Sequence, residues 1–516
     1  METNAAGRII PDLSERGLIG YRGVGAPPLK EFQAARRIRS SSDYPVSGNK
    51  QTDSLVEALR AAELCDGMVI STHHHLRNGD AVAIQLFEAV KSLGVKDVVW
   101  FPSAVFPCHE KLVPYLEDGT IHHIEGSLNG PLGDFASEGK MRGLAVLRSH
   151  GNRYRSIQDG DVSVDIAVIA APSSDSFGNC TGAFGKSACG GLGFAVADSE
   201  YANHVIVVTD NLVEFPCVPW QIAGSLVDQV VCVEEIGDPA KIVAGSTVLT
   251  SSPERQRIAR LSAEFVLAAG ILKDGWSFQA GAGGISLSFV VYVQQIMEAR
   301  GVTGRFARGG SSQYLVDMLE KGQIGSILDG QTFDLEGVRS LRENQNHVMT
   351  TPFNSYCYHT KGNFASMLDC AVLGATEVDI NFNANVVTHS DGRLLHGIGG
   401  WQDALFSQCT ILAVPSLRNR VPIIRDELTT LCGPGELVDV VVTERGIAIN
   451  PKRLDLIEAV KGSGIPLKRL EEIKEESETL AGGKPSEIRR EENMIGLVTW
   501  VDGTILDTIN QVDTKT

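Results

Sequence analysis

Short runs that are apolar at almost every position, separated by stretches of helical period, constrain this chain more than any other feature. Gly67–Thr72 (GMVIST), Val98–Trp100, Gly143–Leu147, Val164–Ala171, His204–Thr209 and Val227–Val233 read as strands. Between them, Thr52–Glu63 places Leu55, Leu59 and Ala62 on one helical face, and Ala81–Leu93 does the same with Val82, Leu86 and Val90. Strands without polar alternation are covered on both faces, so the pattern predicts a parallel or mixed sheet under helices. The rhythm restarts after about residue 250, with helices at Pro253–Ala269 and Ile285–Arg300. Strands then recur at Ser277–Gly284, Arg305–Ala307, Gly325–Leu328, Glu377–Asn381 and Val438–Thr443. At 516 residues the chain exceeds one ordinary core. The expected fold class is α/β, with two open, mostly parallel sheet domains at 51–250 and 251–516. An irregular Gly-, Pro-, Ser- and Arg-rich arm covers 1–50. Leu467–Arg490 reads as a solvated helix and loop, and a hairpin around Val501-Asp-Gly503 closes the chain.

A formal net charge of −17 argues against nucleic acid, which needs a basic face. The ten cysteines include no C-x-x-C pair and are expected to be reduced thiols, neither a disulfide framework nor a zinc site. The N-terminus has early charges and no apolar h-region, and no apolar run approaches the ~20 residues that cross a bilayer. The expected setting is cytoplasmic, with no membrane partner.

In open α/β sheets ligands collect beyond the carboxyl ends of strands, so polar loops at those ends are the candidates. Ser71–Asp80 (STHHHLRNGD) ends one strand. Adjacent side chains on a strand face opposite ways, so its three histidines cannot all converge and no metal is expected. Arg77 with one histidine suits a polyanion, the alternative being a structural loop. Ala171–Gly182 and Gly182–Gly193 follow another strand and carry Lys186, but lack the Walker spacing. Gln279–Gly284 (QAGAGG) closes a strand and opens a helix, placing Gly281, Gly283 and Gly284 where backbone N–H groups can meet an anion. Arg305–Ser312 brings Arg308, Gly309 and Gly310 to a neighbouring strand end, and Asn354 forms a polar tip in Thr350–Ser355. Ala375–Val386 runs into a polar tip containing Asn385, followed by the turn His396–Asp403 with Gly399 and Gly400. Amide donors so arranged suit a developing oxyanion, at about 2.7–4 kcal/mol for each well-aimed donor.

Taken in order, DGMVISTHHHLRNGD, APSSDSFGNCTGAFGKSACGGLG, EEIGDPAKI, DGWSFQAGAGG, ATEVDINFNANV and VDVVVTERGIAINPKR resemble the α subunits of citrate lyase. These are acyl-carrier-protein:citrate transferases built on the coenzyme A transferase fold. The resemblance implies two coenzyme A transferase-like domains, citrate and an acetyl thioester as substrates, and a β subunit and an acyl carrier γ subunit as partners. It implies no permanently bound cofactor; the enzyme acts on the carrier's phosphoribosyl-dephospho-CoA-type arm. On this reading Asn354, the N–H groups of Gly399 and Gly400, and Asn385 are oxyanion donors. Arg77, Lys186 and Arg308 are candidates for citrate's carboxylates, with Gly309 and Gly310 leaving room, and Gly281, Gly283 and Gly284 meet the thioester arm. One departure bears on mechanism. Coenzyme A transferases place a nucleophilic glutamate in the loop before a helix ending V-D-L-x-E-x-G. Here that helix reads Val316–Gly322 (VDMLEKG), and counting back lands on Gly309-Gly310. Glu377 opens a strand and reads as structural. The expectation is direct attack of a citrate carboxylate on the thioester, with no glutamyl intermediate. The alternatives are a citramalate lyase α subunit, another acyl-CoA transferase or hydrolase, and a non-catalytic scaffold.

Overall fold

The valine- and isoleucine-rich runs assemble into two large sheets in the computed structural model, which describes residues 1–27, 47–243, 248–485 and 490–512. The first sheet has ten strands. Its centre is built from Ile121–Gly126, Val98–Pro102, Val69–Thr72, Ile166–Ala170, His204–Thr209 and Gln229–Cys232, neighbours in that order and all parallel. The second has eight, with Ile327–Thr332, Phe306–Ser311, Ser277–Ala280, Cys370–Leu373, Thr410–Ala413 and Val440–Thr443 in parallel succession. Central strands such as Val205–Val208 and Val440–Val442 are fully buried, as continuous apolar runs require. The α/β class of two open, mostly parallel sheets is therefore the observed one.

The final hairpin, Arg490–Thr499 and Ile505–Val512, does not extend the second sheet. Gly496, Leu497 and Val498 pair in parallel with Ala145, Val146 and Leu147, so residues 490–512 complete the sheet of the first half and the expected 251–516 unit is interrupted. Burial drives this: Leu497 and Ile505 pack with Ile10 and Val146 in a small cluster of their own. The start of the arm lies on this hairpin. Gly20 bridges to Ile505, Asn4 donates to the carbonyls of Ile505 and Leu506, and Tyr21 packs edge-on against Trp500. The rest of the arm, 28–46, lies outside the described residues. Leu470–Ala481 is helical but not wholly solvated, since Leu470 and Ile473 are buried. Glu377–Asp379 joins a small side sheet with Ala384–Asn385 and Ile424–Arg425 instead of the main one. The ten cysteines are free thiols, and no helix among the described residues is long and apolar enough to cross a membrane.

Candidate functional site

Carboxyl ends of strands from both sheets meet, and the seam between them is the candidate crevice. From the first come the turn after Val69–Thr72, Ser103 after the next strand, and Ser149-His150 after Ala145–Leu147. From the second come Gln279, Arg308–Gly310 and Gly330–Phe333, joined by Tyr356 and the turn Gly397–Asp403. The two sets touch directly. Gln331 Nε2 donates to the His74 carbonyl at 3.2 Å, and the Arg77 guanidinium lies 4.7 Å from the Phe333 ring centre. The His150 N–H donates to the Gly399 carbonyl at 2.8 Å.

Asp403 fixes this juncture. Its carboxylate accepts from Ser149 Oγ at 2.9 Å and from the Gly151 N–H at 3.1 Å, so it caps, from the other half, the helix His150–Gln158. An anion there meets the helix dipole favourably. Burial pushes the Asp403 carboxyl up to about 7, against the opposing pull of the Gly151 N–H, the Ser149 hydroxyl and Arg308.

Two buried arginines face the crevice. Arg308, 1% exposed, donates Nη1 to Gln279 and lies 4.2 Å above the Tyr356 ring, while its Nε and Nη2 have no partner among the described residues. Arg77, 5% exposed, sits between the rings of Phe106 and Phe333, with Nε and Nη1 unpartnered among the described residues. Its backbone adopts φ 51°, a left-handed conformation that costs a non-glycine residue roughly 1 kcal/mol or more and is tolerated where function requires it. Burial lowers the Arg77 guanidinium to about 10, which leaves it charged at neutral pH. The neighbouring backbone is locked by Asp80, which caps the following helix through Val82 and Ala83 and is held by His109 Nε2 at 3.0 Å. An unpaired buried cation is costly, which makes both arginines candidates for an anionic ligand.

The strand paired with the one carrying Arg308 is bulged at Gly330: Asp329 pairs with Gly309 and Gln331 with Gly310, leaving Gly330 over. Gly309 has φ 103°, and a Cβ on Gly310 would lie 1.9 Å from the Phe333 ring, so both positions demand glycine. The carboxylates that approach the crevice are engaged. Asp329 accepts from Ser311 Oγ, Thr332 Oγ1 and the Gln331 N–H. Glu377 is held by Thr429, Asn385 and Arg425.

Several expected site residues lie elsewhere. Asn354 is exposed, and its Oδ1 accepts from the N–H and Oγ1 of Thr351 in a capping box of the short helix Pro352–Ser355. Tyr356, two residues on, is the side chain that enters the crevice. Asn354→Ala is therefore expected to leave turnover within about twofold while costing roughly 1 kcal/mol of local cap stability. Steady-state rates beside a melting curve check this, and a loss of about a hundredfold in a folded protein would return Asn354 to the site. Asn385 is fully buried with its Nδ2 on Glu377 and Thr388 and its Oδ1 on the Val387 and Thr388 N–H groups, so it has no donor left for an oxyanion. Lys186 is an exposed side chain donating to the Glu234 carbonyl. Gly281, Gly283 and Gly284 do open the helix Gly284–Arg300, beyond the Gln279 that holds Arg308. Gly399 and Gly400 lie in the crevice, and the Gly400 N–H meets no protein acceptor among the described residues. His73 and His75 stack at 5.8 Å while His74 turns to Ser103, at 2.6 Å from Nδ1, so the three rings split as strand alternation implies.

The sequence reading assigned no role to His150, Tyr356, Asp403, Gln279 or Gln331. His150 and Gln331 lie at strand ends, the signal that found Arg77. Tyr356 and Asp403 follow motifs already singled out.

Residues 48–512 match the family model for citrate lyase, alpha subunit. The chain belongs to this family. The citrate lyase α chain of Klebsiella pneumoniae is 39% identical over 499 residues, covering 96% of each chain. That of Escherichia coli is 36% identical over 461 residues, covering 89% of this chain and 90% of the relative. A crystal structure of the α subunit of citrate lyase from Streptococcus mutans in complex with citrate has TM-score 0.94, 37% identity and 99% coverage of both chains. The α subunit of a malonate decarboxylase from Acinetobacter baumannii, at 15% identity and TM-score 0.60 over 84% of this chain and 95% of that one, shares the fold alone. A citrate lyase α subunit thus carries the two buried arginines and the glycine bulge described above.

Proposed function

We propose that this chain exchanges the acetyl group of an acetyl carrier-protein thioester for citrate, giving citryl carrier protein and acetate. A citrate carboxylate oxygen adds to the acetyl carbon, forming a tetrahedral oxyanion. The C–S bond breaks to release thiolate and leave an acetyl–citryl anhydride. The thiolate then attacks the citryl carbonyl and expels acetate, so one thioester replaces another. A thiol pKa near ~8.5 makes sulfur a good leaving group without acid assistance, which leaves positioning and oxyanion stabilisation as the sources of rate.

The reading rests on one observation above all: where the two halves meet, Arg77 and Arg308 each hold buried guanidinium N–H groups with no partner among the described residues, as a tricarboxylate needs. The engaged state of Asp329, Asp403 and Glu377 supports attack by the substrate's carboxylate instead of the protein's. The Gly400 N–H is the backbone donor we assign to the oxyanion, with Gly399 shaping the turn. The helix N-terminus at Gly281–Gly284 is the assigned contact for phosphate on the carrier arm. The partners on this reading are the β subunit and the acyl carrier γ subunit, in the cytoplasm.

Incubating the chain with acetyl carrier thioester and either citrate or citramalate tests the proposal. Citrate-dependent release of acetate with formation of citryl thioester is the expected result. Preference for citramalate would reassign the acid, and acetate released with water alone would make the chain a hydrolase.

A further inference from the structure

We infer that His150 is a catalytic residue, donating a ring N–H to the tetrahedral oxyanion and then to the departing thiolate. This rests on the proposed exchange and adds a side-chain donor from the first half to the backbone donor of the second.

Its placement carries the inference. His150 is the first residue of the helix His150–Gln158, and its ring is walled by His74 at 5.4 Å, Phe194 at 4.4 Å and Tyr356 at 5.9 Å. The residue is partly exposed, and neither ring nitrogen has a protein hydrogen-bond partner among the described residues. A methyl placed on Gly399 would lie 3.8 Å from His150 Nε2, so the ring edge lies over the turn that presents the Gly400 N–H. Tyr356 carries Arg308 on its ring and also borders His150 and Gly400, which brings the imidazole, the acid-binding cation and the oxyanion turn around one side chain. The backbone is held in trans by the Gly399 carbonyl and by the Asp403 cap, so the ring is fixed in place before substrate arrives. Preorganised donors of this kind act in full because they need no reorientation.

The charged groups around the ring set its protonation. Burial, then Arg153 and Arg308, hold His150 down at about 3, and burial together with His150, His75 and Arg77 lowers His74. The imidazole therefore stays neutral through the physiological range. It serves as a hydrogen-bond donor and does not cycle protons, consistent with a thiolate that leaves unprotonated.

A crossed pair of substitutions separates donation from packing. His150→Gln keeps an N–H donor and loses the aromatic ring; His150→Phe keeps the ring and loses the donor. With the full-length chain, its acetyl carrier subunit and citrate, His150→Phe should lower kcat about a hundredfold with KM for citrate within about threefold, and His150→Gln should stay within about tenfold of wild type. Because Asp403 titrates at about 7 beside this helix, any limb of the kcat profile between about pH 5 and 8 should be the same in wild type and His150→Gln. The reverse order of variants, with Phe active and Gln impaired, would make His150 a packing residue and overturn the inference. So would a limb in the kcat profile near ~6.5 that disappears in His150→Gln, because it would report acid–base cycling. If the wild-type chain performs no citrate exchange, the proposed function fails; if it does and His150→Phe matches it, only the inference fails. Citrate titration calorimetry on each variant confirms that the crevice is intact.

Discussion

Arg308→Met is expected to lower kcat/KM for citrate roughly a thousandfold, the effect of losing ~4 kcal/mol of charge-assisted contact, without destabilising the fold. Arg308 is a buried guanidinium that donates to Gln279 and lies over the Tyr356 face, with Nε and Nη2 unpaired among the described residues. An apolar side chain of similar length removes that burden, and such replacements are often neutral or stabilising by about 1–4 kcal/mol. The paired outcome, an unchanged or raised Tm beside lost activity, is diagnostic of a residue retained for function at the expense of stability. Thermal melting and citrate titration on the same preparation provide the check. A folded Arg308→Met that binds citrate normally contradicts the assignment; an unfolded one would instead make Arg308 structural.

Gly310→Ala should produce the second large effect by a steric route. The new methyl would lie 1.9 Å from Cε2 and Cζ of Phe333, a ring that carries the Arg77 guanidinium on its face at 4.7 Å. Phe333 must move, and the Arg77 cation from the other half moves with it. Overpacking of this kind costs about 1–3 kcal/mol. Citrate affinity is expected to fall about tenfold or more, while a carboxylate introduced by Gly310→Glu should not create a nucleophile, because its Cβ meets the same clash. Calorimetric citrate titration reads the first, and wild-type affinity in Gly310→Ala would show that Phe333 can yield without disturbing Arg77.

The parallel strands and Arg77, Arg308, Gly309 and Gly310 were legible because they depend on local pattern: continuous apolar runs, and polar or glycine turns at their carboxyl ends. What the sequence concealed depends on contacts between distant residues. Ile121–Gly126 lies within the first sheet, yet its IHHIEG composition reads as polar; Glu125 is tolerated there because Arg148 and His123 neutralise it. Asn385 looked like a free polar tip, but Thr388, Glu377 and, through Glu377, Thr429 and Arg425 consume its neighbourhood, and no spacing rule reveals that network. Asn354 was found at a strand end near the crevice, but its own helix cap turned it outward and left the work to Tyr356. Asp403 stood inside a motif already identified, and its function, capping a helix some 250 residues earlier in the chain, exists only in the folded protein. The final hairpin was recognisable as a hairpin, whereas its sheet was not, since edge pairing at Ala145–Leu147 is set by the burial of Leu497 and Ile505.

In the proposed exchange the nucleophile belongs to citrate, not to the protein. A single-turnover reaction with enzyme in excess, acetyl carrier thioester, and citrate labelled with oxygen-18 in its carboxylates measures this directly, by the mass of the first acetate released. Direct attack passes one citrate oxygen into acetate through the anhydride, so the account predicts singly labelled acetate from the first turnover. Unlabelled acetate would contradict it, because that oxygen would then have come from a carboxylate of the enzyme.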